Sequence, residues 1–148
     1  MVRLVAVIAT ALLGGLPGGQ AQPAAEKEYN GMKIGFASVE RTKEHEFPDA
    51  PIGKLTARPG MELIVISLRV TTAASGNALG CRDFFLEAQP ADNIYCADVH
   101  IENKPVVQGR HNVIVRFILP EGRTVKALKL GQIAFDLAKA NAPLNLIK

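Results

Sequence analysis

The chain has no tryptophan, few aromatic residues and only two cysteines among its 148 residues. A core without large aromatic side chains must be built from Val, Ile, Leu and Ala, which are plentiful here. The length is enough for one domain to bury such a core without a metal or many disulfides. The chain also lacks an apolar run of the roughly 20 residues that a membrane-spanning helix needs.

The first 21 residues have the order of regions that is typical of a cleaved signal peptide. Arg3 is followed by an uncharged apolar run over residues 4–13 and then by Gly14, Gly15 and a proline. This run is about half the length of a spanning helix, which disfavours a membrane anchor. Small residues end the segment, so we expect cleavage between Ala21 and Gln22 and a secreted or periplasmic protein.

The two cysteines, Cys81 and Cys96, both lie in the expected mature part of the chain. An even number of cysteines in an exported protein predicts a disulfide, because that compartment is oxidising. A metal-binding pair and two free thiols are the alternatives.

The mature chain contains seven or eight short apolar segments separated by turn residues. In the segment with the strongest alternation, one face is formed by Ile64, Ile66, Leu68 and Val70. In the next strongest segment, one face is formed by Val113, Val115, Phe117 and Leu119. A period of two and many β-branched residues predict strands. Further strands are expected at residues 32–39, 82–88, 94–101, 125–130 and 133–137, and a long exposed loop at 40–51. We therefore expect residues 22–148 to form one all-β domain with its core at about 30–137. The pattern favours an antiparallel sandwich over a parallel sheet, and a closed barrel is the main alternative.

Three local patterns resemble a known family. The first is Arg58-Pro59-Gly60 followed by a long apolar strand that runs to Val70. The second is Phe84-Phe85-Leu86 followed by Tyr95, and the third is a strand over 113–119 that ends in Pro120-Glu121-Gly122. Together they are similar to the DUF4352 or telokin-like (MPT63-type) family of exported domains. The resemblance covers roughly residues 30–137, although the Asn that usually follows the long strand is replaced by Thr71-Thr72-Ala73. It implies an immunoglobulin-like sandwich and export, and it assigns no catalytic residue.

The sequence contains no constellation that predicts an enzyme or a cofactor. No Gly-x-Ser-x-Gly motif is present, and His45, His100 and His111 stand far apart in the sequence. These three histidines are the remaining candidates for metal ligands, and a cupredoxin-like or other metal-binding exported protein is the alternative function. On a regular strand, however, Cys96 and His100 would lie about 13 Å apart, and no methionine follows them.

Charge is unevenly placed along the chain. Residues 22–103 hold 8 Lys/Arg and 12 Asp/Glu, whereas residues 104–148 hold 8 and 2. The basic residues are spread singly rather than clustered with aromatics, which disfavours nucleic acid as a partner. We therefore expect a non-catalytic interaction module whose partner is another envelope or extracellular protein or a small ligand.

Overall fold

The computed structural model describes residues 26–48, 53–72, 79–89, 92–102 and 109–138. The expected signal peptide and its cleavage site at Ala21 and Gln22 lie outside these residues. Within them the chain forms eleven strands, which are β1 Lys27–Tyr29, β2 Met32–Thr42, β3 Glu44–His45, β4 Leu55–Thr56, β5 Met61–Thr72, β6 Phe84–Gln89, β7 Asp92–Tyr95, β8 Asp98–Ile101, β9 Gly109–Pro120, β10 Thr124–Leu130 and β11 Ile133–Asp136. A single 3₁₀ turn, Cys81–Asp83, precedes β6. No helix in the described ranges is long and apolar enough to cross a membrane.

The strands form a β-sandwich in which every described pairing is antiparallel, as the sequence predicts. One sheet has the order β1-β2-β5-β9-β8 and the other β11-β10-β6-β7, while β3 and β4 form a separate ladder. In an immunoglobulin constant domain the sheets have the orders ABED and CFG. Here β2, β5, β9 and β8 occupy the A, B, E and D positions, β6, β10 and β11 occupy C, F and G, and β7 lies beside C. The eight principal strands thus have an immunoglobulin-like order.

The core lies between the two sheets and is supplied by the residues that the alternation predicts. β5 and β9 pair over their full lengths, from Met61 opposite Pro120 to Thr72 opposite Gly109. Their inward faces bury Ile64, Ile66, Leu68 and Val70 and Val113, Val115, Phe117 and Leu119. The facing sheet adds Phe84, Leu86, Leu128 and Leu130. Because apolar residues recur at every second position of both long strands, each strand presents one continuous apolar face to the other sheet.

Two expectations for the start of the domain need correction. An additional strand, β1, precedes the predicted first strand and pairs with it. The predicted first strand, β2, begins at Met32 as expected but is longer than predicted and ends at Thr42. A register shift between Phe36 and Ser38 lets it turn Val39 towards the core, although Val39 is out of phase with Ile34.

The segment over residues 94–101 is not one strand, as predicted, but two. β7 pairs with β6, as expected for a hairpin, whereas β8 pairs with β9 in the other sheet. The change of sheet takes place at Cys96 and Ala97, where the Ala97 amide donates a 2.8 Å hydrogen bond to the Arg116 carbonyl. Local alternation continues through the break, so the sequence pattern did not reveal it.

Candidate functional site

The outer face of the five-stranded sheet is covered where the sequence predicts an exposed loop. We call the covering segment, residues 43–48 and 53–57, the strap. Its Phe47 is only 8% exposed and packs with Leu63, Val65 and Ile114 of the sheet in a second apolar cluster. This explains why the outer face of β5 is apolar at its start. The prediction of an exposed loop over 40–51 holds for Lys43, Glu44, Glu46 and Pro48, which are exposed, but it is wrong for Phe47, whose apolar side chain anchors this charged segment.

Arg116 lies beneath the strap and is 3% exposed. The register places it on β9 between Val65 of β5 and Asp98 of β8. Its Nε donates to Asp98 Oδ1 at 2.6 Å, and its Nη2 donates to the other carboxylate oxygen. Its Nη1 donates to two strap carbonyls, that of His45 at 3.0 Å and that of Gly53. The guanidinium therefore ties the strap to two strands of the sheet.

Aromatic rings complete this cluster. The Arg116 guanidinium carbon lies 3.7 Å from the centroid of the Phe47 ring, a close cation–π contact. His100 stacks on Phe47 with centroids 4.4 Å apart, and His45 meets it edge-on at 5.6 Å. Gly53 approaches Phe47 so closely that a Cβ at this position would lie 2.6 Å from a ring carbon. The strap is thus fitted to one position on the sheet.

The contacts of this cluster serve to hold the strap on the sheet rather than to form a reactive site. The N–H groups of Arg116 donate to Asp98 and to the strap carbonyls, so few hydrogen-bond donors remain for a ligand. Burial lowers the pKa of His45, and the Arg116 charge lowers it further, while Glu40 and Asp98 act in the opposite direction. The imidazole is therefore held in its neutral form more firmly than an exposed histidine.

The structure brings two of the three sequence candidates for metal ligands together. His45 and His100 both contact Phe47, whereas His111 is on the opposite face of the sheet, on the same side of β9 as Val113. The described residues contain no group of three or more His, Cys, Asp or Glu side chains that could hold a metal ion. Cys96 forms the predicted disulfide with Cys81, so it offers no thiolate to a metal.

Sequence reasoning missed Arg116, Asp98 and Phe47. One signal was available, because Arg116 stands at an outward position of a strong strand between the outward residues Ile114 and Ile118. A charged residue in such a row has a neighbour that shields it or pairs with it. Its partners could not be read from the sequence, since His45 and Gly53 are 71 and 63 residues away.

A second surface lies on the outer face of the four-stranded sheet. Tyr95 is 73% exposed and meets Phe85 edge-on, with ring centroids 5.3 Å apart. The register continues the row from Phe85 to Lys129, whose Nζ lies 2.9 Å from a Glu87 carboxylate oxygen. Aromatic side chains are enriched in protein interfaces, and the ion pair beside this aromatic pair has the polar character of an interface rim.

The disulfide fixes the position of this aromatic pair. Cys96 follows Tyr95 directly, and its partner Cys81 lies in the 3₁₀ turn that leads into β6, the strand of Phe85. The covalent bond therefore joins the ends of the two strands that present the rings. Tyr95 thus lies on a short edge strand whose end is joined covalently to the turn that leads into β6.

Comparison with known proteins supports the fold and no narrower assignment. No protein family model matches the chain, and no curated protein matches it. Among solved structures it is similar to an uncharacterized β-sandwich protein from Clostridium difficile 630, with a TM-score of 0.55 and 11% sequence identity. The match covers 76% of this chain and 88% of the other. At this identity the likeness establishes the β-sandwich alone.

Proposed function

We propose that this protein is an exported, non-catalytic interaction module that binds another envelope or extracellular protein through the outer face of its four-stranded sheet. The observation that carries the proposal is the exposure of Tyr95 beside Phe85 on a strand held by a disulfide. Tyrosine is enriched among the residues that dominate binding energy at interfaces. The disulfide restrains the backbone next to Tyr95, and a restrained segment loses less entropy on binding than a free one.

Export is supported by the disulfide, because such bonds persist in oxidising compartments and are rare in the cytosol. The apolar run at residues 4–13 and the resemblance to the DUF4352 family agree with this assignment. A small ligand that stacks on Tyr95 is the other partner compatible with the same face, and the experiment below separates it from a protein.

The proposal is tested with a photo-crosslinking amino acid placed at Tyr95 in the native host. We expect a discrete crosslinked protein that mass spectrometry identifies in repeated preparations. Ile118 is the matched control, because it is the other exposed large hydrophobic residue in the described structure and lies on the other sheet. A reporter at Ile118 should give no such product.

Affinity measurements with the identified protein provide the quantitative test. We expect Tyr95→Ala to weaken binding by about 2 kcal/mol or more, the size typical of an interface hot spot. Ile118→Ala should leave the affinity unchanged. Equal crosslinking from both positions, or no crosslink from Tyr95, would contradict a protein partner at this face. If a small molecule binds saturably and Tyr95→Ala abolishes that binding, the partner is a small ligand instead of a protein.

A further inference from the structure

The His45 side chain is partly buried in the strap, in surroundings that disfavour a positive charge on its ring. Its Nδ1 is fully buried and makes no hydrogen bond in the described part of the chain. Its own carbonyl accepts the 3.0 Å hydrogen bond from Arg116. The residue that fastens the strap to the guanidinium therefore also carries a titratable ring beside it.

The groups around His45 come from several elements. Arg116 on β9 opposes a proton on the imidazole, while Asp98 on β8 and Glu40 on β2 favour one. His100 on β8 is a second imidazole against Phe47, and Glu44 within the strap pairs with Lys54 across 3.2 Å. Burial is the largest influence and acts with Arg116, so the balance is against protonation in the docked strap.

We propose that the strap is an acid-released cover, which lifts from the five-stranded sheet when the His45 imidazole takes up a proton while the sandwich stays folded. Protonation would bury a charged N–H without an acceptor and place a second cation beside Arg116. Release returns His45 to water, where both penalties vanish. Arg116 keeps its bidentate carboxylate partner, because Asp98 belongs to the sheet.

The sandwich can remain folded because the strap adds nothing to its core. The cluster between the two sheets contains no residue of the strap. Phe47, Leu55 and Ala57 contribute only to the outer cluster, on Leu63, Val65 and Ile114. Release would therefore uncover an apolar patch on the sheet without opening the core.

The direction of the pH dependence follows from linkage. The pKa of His45 is lower in the docked state than its ordinary value of 6.5, so the docked strap binds fewer protons than the released one. The stabilisation that neutral His45 gives to docking is complete above pH 6.5, and it is lost as the pH falls through the lower pKa of the docked state.

The test is amide hydrogen exchange at about pH 7.5 and about pH 5, corrected for intrinsic exchange rates, on either side of the histidine range. The Ala57 amide, which donates to the Lys43 carbonyl, and the β3–β4 amides bond within the strap, and so short a ladder is marginal once it leaves the sheet. We therefore expect these amides to lose protection several-fold at the lower pH. Amides of the β5–β9 ladder should keep theirs. In His45→Gln the strap should stay protected at both pH values. In His100→Gln, which removes a ring that stacks on Phe47 but leaves His45 in place, the loss of protection at the lower pH should persist.

A second measurement keeps the test decisive if His45→Gln does not fold. The imidazole of His45 in the wild-type protein is titrated by NMR, and its midpoint should lie below 6.5 and coincide with the loss of strap protection. Simultaneous loss of protection in the strap and in the β5–β9 ladder would overturn the proposal, because it would indicate global unfolding. Retention of the pH effect in His45→Gln would overturn it as well.

Discussion

Gly53 lies against the Phe47 ring, and a methyl group at its Cα would occupy space that the ring already fills. The close approach brings the Gly53 carbonyl to the Arg116 guanidinium. Phe47 cannot withdraw without losing its contacts with Leu63 and Val65. Fastening and packing of the strap thus depend on the absence of one side chain, a requirement of space and not of backbone conformation.

We expect Gly53→Ala to loosen the strap and to cost about 1–3 kcal/mol, the usual price of overpacking a fitted site. Hydrogen exchange of the β3–β4 amides measures the effect. Gly80→Ala is the matched control, because a Cβ there would have its nearest neighbour at 3.9 Å, an ordinary contact. Equal protection of the strap in both variants would show that Phe47 can adjust to the added methyl group.

At the scale of elements, the disulfide secures the point where the chain passes from one sheet to the other. Cys96 lies between β7 and β8, and Cys81 lies just before β6. Neither β7 nor β8 has more than four residues, so neither forms an extensive ladder. The covalent bond holds a crossover that hydrogen bonds alone would hold weakly.

Replacement of both cysteines by alanine should lower the free energy of unfolding by about 3 kcal/mol, since the bond closes a loop of 15 residues. Urea titration of the double variant, beside the oxidised wild-type protein, measures this loss. We also expect hydrogen exchange to accelerate most in β6–β7 and β8. Unchanged exchange in these strands would show that their ladders are sufficient. A mass increase of two daltons on reduction of the wild type confirms the oxidised state.

The elements also show what the sequence could predict and why. β5 and β9 were predicted because their alternating residues carry a strong local signal over eight positions or more. The strap was missed because Phe47 is a single apolar residue among charges and prolines, with no periodicity to reveal it. The disulfide was predicted from cysteine number and compartment. The cluster of His45, His100 and Arg116 could not be predicted, because its members meet only after β8, β9 and the strap have been brought together.

At the scale of the whole molecule, the two proposed surfaces are on opposite sides of the sandwich. The aromatic pair Phe85 and Tyr95 lies on the outer face of the four-stranded sheet, and the strap covers the outer face of the five-stranded sheet. The common core separates them. Tyr95→Ala should therefore leave the pH response of the strap unchanged, and His45→Gln should leave the affinity for the partner unchanged. Hydrogen-exchange and binding measurements on both variants check these two expectations.

The full-length pairing of β5 with β9 also determines how the chain reaches its native state. Thr72 and Gly109 are 37 residues apart and Met61 and Pro120 are 59 apart, so forming the central ladder closes a long loop of chain at a cost in entropy. Folding dominated by such distant contacts takes milliseconds to seconds. The bond between Cys81 and Cys96 spans a much shorter loop. Stopped-flow refolding should therefore show a slow main phase, and a disulfide already in place should speed it by restricting the search within the β6–β8 region.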